Sequence, residues 1–432
     1  MLIVVALWWH GGGLHDLSSV GSGVTSLGRI TGLVASNLLL IQVLLMARIP
    51  MIERVYGQDE LARRHRLVGF WSFNLMVAHV LLISLGYALE ASANPFVQFW
   101  QLIVEYPGML LALAGALLLV LVTITSIRKA RRKLRYESWH LLHLYAYLGV
   151  GLALPHQLWT GQEFLSSTLA TVYWWSLWIA AAGAILTWRV GVPLYRTARH
   201  SIRVVDVVRE GPSAVSVLMH GRNLHELSAS AGQFFVWRFL GVPGWTRGHP
   251  YSLSAVPDGS TLRITAKDLG DASGALANLQ PGTPVAIEGP YGRLHEGVRT
   301  QRKVLLLGAG IGITPLRGLL ESLPQDPGDV TLVYRAHGAA DRVLKHEIEA
   351  VAAAKGARVF YALGPRIPGR HSWLPLNAAG LSDEDALREL VPDIDQHDVY
   401  LCGSPAWMDA ARTAVLDAGV PAEAIHEERF SW

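Results

Sequence analysis

The chain has 432 residues, enough for two or three domains, with 51% apolar residues and a formal net charge of +3. Its single cysteine, Cys402, excludes an internal disulfide, a cysteine-ligated iron–sulfur cluster and a cysteine-rich zinc site. Basic residues cluster only beside apolar runs, so no nucleic-acid partner is indicated, and the chain divides near residue 190 into a charge-poor half and a half of soluble composition.

Five segments lack Asp, Glu, Lys and Arg: 30–47, 67–89, 106–127, 138–162 and 164–188. Each is close to or beyond the roughly 20 residues of helix that cross a bilayer. A shorter run, LIVVALWW at 2–9, lacks the basic region and cleavage site of a signal peptide. It is expected to be the end of a first transmembrane helix whose start lies upstream, for a count of six. Arg48, Arg54, Arg63, Arg64 and Arg66 crowd one connection, RKARRKLR (128–135) fills another, and Arg189, Arg196 and Arg199 follow the last span. The opposite connections, 90–105 and 157–166, have no Lys or Arg. This asymmetry predicts a multi-pass cell-membrane protein whose second half is cytoplasmic.

Four histidines stand inside these apolar segments: His65 and His79 on one, His143 and His156 on another running the same way. Ionisable groups at membrane depth are costly and mark function. His79 lies 14 residues after His65, about 21 Å along a helix and close to the same face. His156 lies 13 residues after His143, which on a straight helix is nearly the opposite face, with Pro155 as a local distortion. Two histidine pairs at matched depths suit axial ligation of two stacked haem irons that transfer electrons. His140, one turn before His143, is the rival ligand or a polar residue at the interface. Arg29 and Arg48 either meet haem propionates or are end charges reaching for the membrane surface.

The stretches ARIPMIERVYGQDELARRHRLVGF and YESWHLLHLYAY resemble the ferric reductase transmembrane domain shared by NADPH oxidases and ferric-chelate reductases, over roughly residues 28–190. The resemblance implies two b-type haems, one held by His65 and His143 on the cytoplasmic side and one by His79 and His156 on the outer side. The abbreviated first helix departs from the family.

After Arg203 the pattern turns to short alternating strands, IRVVDVV, AVSVLMH, QFFVWRF, LRITAK and VAIEG, separated by Gly and Pro. They predict a small antiparallel barrel. Within it RGHPYSLS (247–254) is similar to the flavin-binding strand of the ferredoxin–NADP reductase family. That similarity implies that Arg247, His249 and Pro250 lie by the FAD ribityl and phosphate, that Tyr251 packs on the ring system and that Ser252 bonds to it. In KDLGDASGAL, Ser273 is placed to cap a helix; Lys267, Gly270 and Ser273 are candidates for the FAD diphosphate, or the segment is a plain capped helix. GPYG (289–292) resembles the family's turn between domains.

KVLLLGAGIGITPLRGLL (303–320) reads as a buried strand, a glycine turn and a helix, with GxGxxP in place of the dinucleotide fingerprint GxGxxG. Gly308, Gly310, Gly312, Thr314 and Pro315 form a turn whose free amides suit phosphates, with Thr314 as helix cap. VTLVYRA, ARVFYAL and DVYLCGSP follow as further parallel strands. The family order places Cys402 and Gly403 near a nicotinamide, although Cys402 reads equally well as a small core residue. Arg335, at a strand end, suits a 2′-phosphate and favours NADPH over NADH; Arg342 is a surface charge. The terminal aromatics Phe430 and Trp432 either stack on the flavin, as in the family, or form an exposed tail.

The expected architecture is a multi-domain membrane protein: an all-α six-helix transmembrane haem domain (1–192), an antiparallel β-barrel FAD domain (198–296) and an α/β parallel-sheet NAD(P)-binding domain (300–432). The expected function is electron transfer from NAD(P)H through FAD and two haems to O2 or a ferric chelate outside. The alternatives are a membrane haem-binding anchor and an electron donor to a partner membrane or periplasmic protein. Oligomeric state is not legible.

Overall fold

The computed structural model describes residues 2–131, 136–161, 164, 167–268 and 270–429. Two compact units emerge, residues 1–52 with 60–189 and residues 53–59 with 190–432.

The first unit is helical: α1 (Leu2–His10), α2 (Val20–Leu45), α3 (Gln58–Glu90), α4 (Pro95–Glu105), α5 (Met109–Ser126), α6 (Tyr136–Trp159) and α7 (Thr168–Ala184). Among the described residues, four helices are long and apolar enough to cross a membrane: Val20–Leu45, Glu60–Glu90, Met109–Ser126 and Thr168–His200. The fourth contains a π turn at Ile185–Gly191. α6 has 24 residues and the length to cross, but its histidines and Glu137 dilute its apolar character. α1, at 9 residues, is too short to span alone.

α2 starts ten residues before the charge-free run that announces it. Ser19 and Ser22 form a reciprocal capping box, and Arg29, inside the helix, pairs with Asp16 at 2.6 Å. The 90–105 connection contains the unforeseen α4, capped by the Asn94 side chain on Phe96 N, and it buries Leu102 and Ile103.

Glycines let backbones approach. A Cβ on Gly28 would lie 3.0 Å from Ile83, one on Gly32 2.4 Å from His79 Nδ1, and one on Gly86 2.3 Å from Thr25 Oγ1. These contacts run in a single antiparallel register between α2 and α3. Gly115 and Gly149 do the same for α5 and α6, where a Cβ on Gly115 would stand 2.6 Å from Gly149 O. Small residues are the usual means of close helix contact in lipid, where apolar burial gives little drive.

In the second unit, α8 (Val192–His200) leads into β1 (Arg203–Arg209), β2 (Ala214–His220), β3 (Phe234–Phe239), β4 (His249–Ser252), β5 (Thr261–Lys267) and β6 (Val285–Tyr291). These make two three-stranded antiparallel sheets, β1-β2-β5 and β4-β3-β6. The sheets touch at two bridges, Arg203–Pro284 and Leu253–Ile264. Irregularities at Val204/Asp206 and Phe234/Val236 break the ladders, so the expected barrel is split. Phe235, Trp237, Leu253 and Ile264 fill the space between the sheets. The GPY of GPYG belongs to β6.

β7 (Lys303–Ala309), α9 (Ile313–Ser322), β8 (Val330–Ala336), α10 (Lys345–Lys355), β9 (Arg358–Leu363), α11 (Asp383–Leu390), β10 (His397–Cys402), α12 (Pro405–Asp417) and β11 (Ile425–Glu427) follow. Their parallel sheet has the order β11-β10-β7-β8-β9. Alternate β7 residues serve opposite cores: Leu306 packs with α9 and α10, Leu305 and Leu307 with α11 and α12. The order reverses at β7, so the crevice beyond the ends of β7 and β10 is the expected ligand site of such a sheet.

Asp398 anchors the base of this sheet. Its fully buried carboxylate accepts from Thr300 N, Gln301 N, Thr300 Oγ1 and His426 Nε2 at 2.6, 2.6, 2.9 and 3.0 Å. Asp398→Ala removes four charge-assisted bonds and is expected to cost about 2–4 kcal/mol. Thermal unfolding followed by flavin release should show a fall of several degrees.

Candidate functional site

Of the four membrane-half histidines, two meet ring to ring and the other two line one cavity. The rings of His65 on α3 and His143 on α6 have centroids 5.9 Å apart and planes at 59°. Two imidazoles ligating one ion from opposite sides, with metal–nitrogen bonds of about 2 Å, put their ring centres roughly 6 Å apart. His79 and His156 line one cavity of about 570 Å³, together with Arg29, Gly32, Tyr87 and Gln157.

Each pair is held from behind. His65 Nδ1 lies 3.3 Å from Gln42 O, and His79 Nδ1 2.8 Å from Gly28 O, both carbonyls of α2. Donation from Nδ1 assigns the free lone pair to Nε2 on both rings. His143 Nδ1 lies 3.2 Å from Ser126 Oγ, which also accepts from Trp139 Nε1 at 3.3 Å. The His143 ring packs at 5.1 Å from that of Trp139. His156 Nδ1 is buried without a hydrogen bond of good geometry. His140 is a neighbour of Trp139 at 6.5 Å.

Among the described residues no group of three or more His, Cys, Asp or Glu is placed to hold a bare metal ion. Paired imidazoles lacking a third protein ligand suit a group that brings its own in-plane ligands, as haem does. The cavity of about 570 Å³ that both His79 and His156 line fits such a group. Arg29 pairs with Asp16 at 2.6 Å, and Arg48 is buried with a left-handed φ of 63°.

In the second unit, β4 presents His249 and Tyr251 on one face, ring centroids 6.4 Å apart, and Ser252 on the other. Trp237 Nε1 donates to Tyr251 O at 2.9 Å and fixes the strand. Burial pushes the Tyr251 phenol up to about 12, so it stays a neutral donor. Ser252 Oγ is buried and unpaired, a polar atom poised for a ligand. Arg247 folds back over Gly244, whose φ of 83° makes the turn.

Two expected caps differ from what the chain does. Ser273 lies inside the four-residue helix Asp271–Gly274 and donates to Gly270 O at 3.1 Å; Asp268 Oδ1 accepts from Gly270 N instead. Thr314 lies one residue inside α9, where Gly312 takes the cap position, and its hydroxyl donates to Ile311 O at 2.9 Å. Lys267 ends β5 opposite Ala214.

The glycine turn packs against the end of β10. A Cβ on Gly312 would stand 2.3 Å from Cys402 O, and one on Gly403 2.7 Å from Trp407. Gly310 has φ of 56° and Pro315 sits in the first turn of α9, where its missing N–H is harmless. Cys402 is buried, and burial together with nearby Glu428 raises its thiol, so it is a neutral SH at the crevice. Glu428 was not anticipated from the sequence; it is a buried carboxylate close to Gly292, whose Cβ would meet it at 2.6 Å. Arg335 does not stand open at the strand end. Its guanidinium donates to Ala336 O, to Ala362 O at 3.3 Å and to Pro365 O at 3.2 Å. Arg342 lies over the Tyr361 ring at 5.0 Å. Phe430 and Trp432 lie outside the described residues.

Gly32→Ala drives a methyl group into the His79 ring. The expected outcome is loss of one haem per chain with flavin content unchanged, read from pyridine haemochrome and flavin absorbance on purified protein.

Residues 31–154 match the family described as ferric reductase like transmembrane component, and residues 306–413 match the oxidoreductase NAD-binding domain. A flavohemoprotein of Bacillus subtilis is 31% identical over 190 residues, 43% of this chain and 47% of that protein. The ferredoxin–NAD(+) reductase component of the alkene monooxygenase system of Xanthobacter autotrophicus is 30% identical over 243 residues, 54% of this chain and 70% of that protein. The chain spans about half the length of the flavohemoproteins it matches. Among solved structures, the FAD/NAD-binding domain of a Vibrio cholerae nitric oxide dioxygenase aligns with TM-score 0.43 and 24% identity, over 53% of this chain and 98% of that one. The chain belongs to the ferredoxin–NAD(P) reductase-like flavin and nicotinamide oxidoreductases and carries a ferric reductase-like transmembrane component.

Proposed function

We propose that this membrane protein conducts electrons from cytoplasmic NAD(P)H, by way of FAD and two b-type haems, to an acceptor at the outer face, either O2 or a ferric chelate. The contact of His65 with His143 and the cavity shared by His79 and His156, with no group of three metal-binding side chains among the described residues, are the observations that carry this reading. The proposed domains are 1–192 for haem, in six helices, 198–296 for FAD and 300–432 for NAD(P). Basic connections at 48–66 and 128–135 support a cytoplasmic reductase.

When bound, FAD supplies the change from hydride to single electrons and haem supplies the single-electron relay. The residues do the positioning. His65, His79, His143 and His156 would hold the irons. Tyr251 offers a ring face, Ser252 a hydroxyl, and His249 with Arg247 and Lys267 positive or donor groups for a phosphate. The short turn at Gly270–Ser273 adds backbone amides. Gly308, Gly310 and Gly312 with Thr314 and Pro315 shape the turn that receives the dinucleotide phosphates, and Cys402 and Gly403 close the nicotinamide end. Electron flow outward along an inside-negative potential is favourable by about 2.3 kcal/mol per 100 mV, so the chain conducts without a pump.

NADPH is the favoured reductant: β8 ends Tyr334-Arg335-Ala336, with no carboxylate there to take a ribose hydroxyl, and Arg335 braces the edge where Arg366 adds a second positive charge. Arg366→Ala, which removes the exposed cation beside that edge, is expected to narrow the NADPH-over-NADH preference in kcat/KM by about tenfold, the effect of one charge-assisted contact.

The decisive experiment is a reduced-minus-oxidised spectrum of purified protein with NADPH as the only reductant. Sharp b-type bands at about two haems per chain are expected, halved in His65→Ala and in His79→Ala. Flavin reduction with no haem band would overturn the reading and leave the helical half as an anchor. Reduction of a ferric chelate or of O2 by the isolated protein would exclude an obligatory partner protein.

A further inference from the structure

Two arginines close on one residue just past the end of β4. Ser254 lies two residues beyond that strand, is fully buried, and is held at both of its oxygens. Its hydroxyl accepts from Arg263 Nε at 3.1 Å and from Thr265 Oγ1 at 2.8 Å. Its carbonyl accepts from Arg263 Nη2 at 2.9 Å and from Arg317 Nη1 at 3.4 Å, and its N–H donates to Arg263 O at 2.9 Å. Arg263 stands on β5 in the antiparallel sheets, whereas Arg317 stands on α9, the helix that the glycine turn opens.

A carboxylate from α10 joins them. Glu347 receives both ends of the Arg263 fork, Nη1 at 2.7 Å and Nη2 at 2.8 Å, and lies 3.0 Å from Arg317 Nε. Arg317 also pairs with Glu321, one turn further along α9, and Glu321 Oε2 accepts from Val256 N at 3.2 Å. The segment that leaves β4 is thus held from β5, α9 and α10 at once.

The charges balance, yet the arginine side chains are only 15% and 9% exposed. An ion cluster this deep adds little net stability over apolar packing. A bidentate arginine–carboxylate pair does fix one relative arrangement of the elements that carry it. Ser252, with its buried unpaired hydroxyl, lies two residues before Ser254, and α9 carries the glycine turn at its head. We propose that Arg263, Arg317 and Glu347 are positioning residues for hydride transfer. They lock the exit of β4 to α9 and so set the approach of the nicotinamide to the flavin ring. In that step NADPH gives the hydrogen on C4, with both electrons of its bond, to flavin N5, leaving NADP+ and the anionic reduced flavin. The inference rests on the NAD(P)H-to-FAD step of the reading above and is independent of the haems.

The test is anaerobic rapid mixing of full-length protein in detergent with NADPH, followed by flavin absorbance. The long-wavelength charge-transfer band of reduced flavin with NADP+, flavin content and thermal unfolding are recorded alongside. In Glu347→Gln the limiting rate of flavin reduction should fall about tenfold, because small misplacements of reacting groups are costly. The NADPH concentration for half the limiting rate should stay within about twofold, and the charge-transfer band should weaken at full flavin load. Arg263→Lys, which keeps a charge but not the fork, should fall between wild type and Glu347→Gln. Should Glu347→Gln lose flavin, Glu321→Gln carries the test at a partly exposed side chain, with a smaller fall in the same direction. A wild-type rate and band in the folded variant, with only the melting temperature lowered, would overturn the positioning role and leave a structural clasp. Wild-type protein whose flavin NADPH does not reduce would overturn the underlying reading instead.

Discussion

An imidazole inside a bundle of apolar helices has an N–H that water cannot reach, and the structure turns on where that proton goes. Side-chain acceptors are scarce among Leu, Val and Ala, so α3 takes backbone carbonyls from α2. A helix carbonyl is accessible to a neighbour only if the neighbour comes close, which is why the α2–α3 contact is lined with Gly28, Gly32 and Gly86. The polar requirement of two histidines thus determines how a whole pair of helices packs.

The nucleotide half meets a comparable constraint by different means. Its five-stranded parallel sheet is buried on both faces, and its chemistry is confined to the loops beyond the strand ends. There Gly312 backs directly onto the carbonyl of Cys402, so the glycine turn and the end of β10 are packed as one piece. On the antiparallel side, Trp237 pins β4 from within the core, which leaves the Ser252 hydroxyl buried and unspent. Both ends of the proposed flavin–nicotinamide contact are therefore set by core packing rather than by mobile loops.

Much of this was legible in the sequence, and the residues that were not share a cause. The histidine spacings, the glycine turn and the HPYS strand are local patterns, and local patterns report which residues share an element. The 13-residue step from His143 to His156 shows the limit. A straight-helix projection puts them on opposite faces, yet His143 meets His65 while His156 lines the cavity of His79. Faces projected on one straight helix do not say which neighbour each level meets, and Pro155 interrupts the hydrogen bonding of α6 just before His156. Gln42, Ser126 and Glu428 escaped notice because each acquires its meaning from a chain segment far away. Thr314 stands two residues past the cap at Gly312, and Ser273 three past Gly270 at the head of its short helix, because helix ends are the part of a pattern least fixed by local sequence. Arg335 was placed at the right strand end, but its guanidinium turned to nearby carbonyls.

Gly28 and Gln42 are separated on α2 by the same 14 residues that separate His65 and His79 on α3. Two antiparallel helices matched in this way act as a pair of rulers laid edge to edge. A single residue inserted between the two marks on either ruler would rotate one carbonyl or one ring by about 100° and shift it by about 1.5 Å, so only one histidine could keep its acceptor. Length changes in α2 and α3 are therefore tolerable only outside these marks or in compensating pairs, and the spacing between the two histidine levels is inherited as a unit.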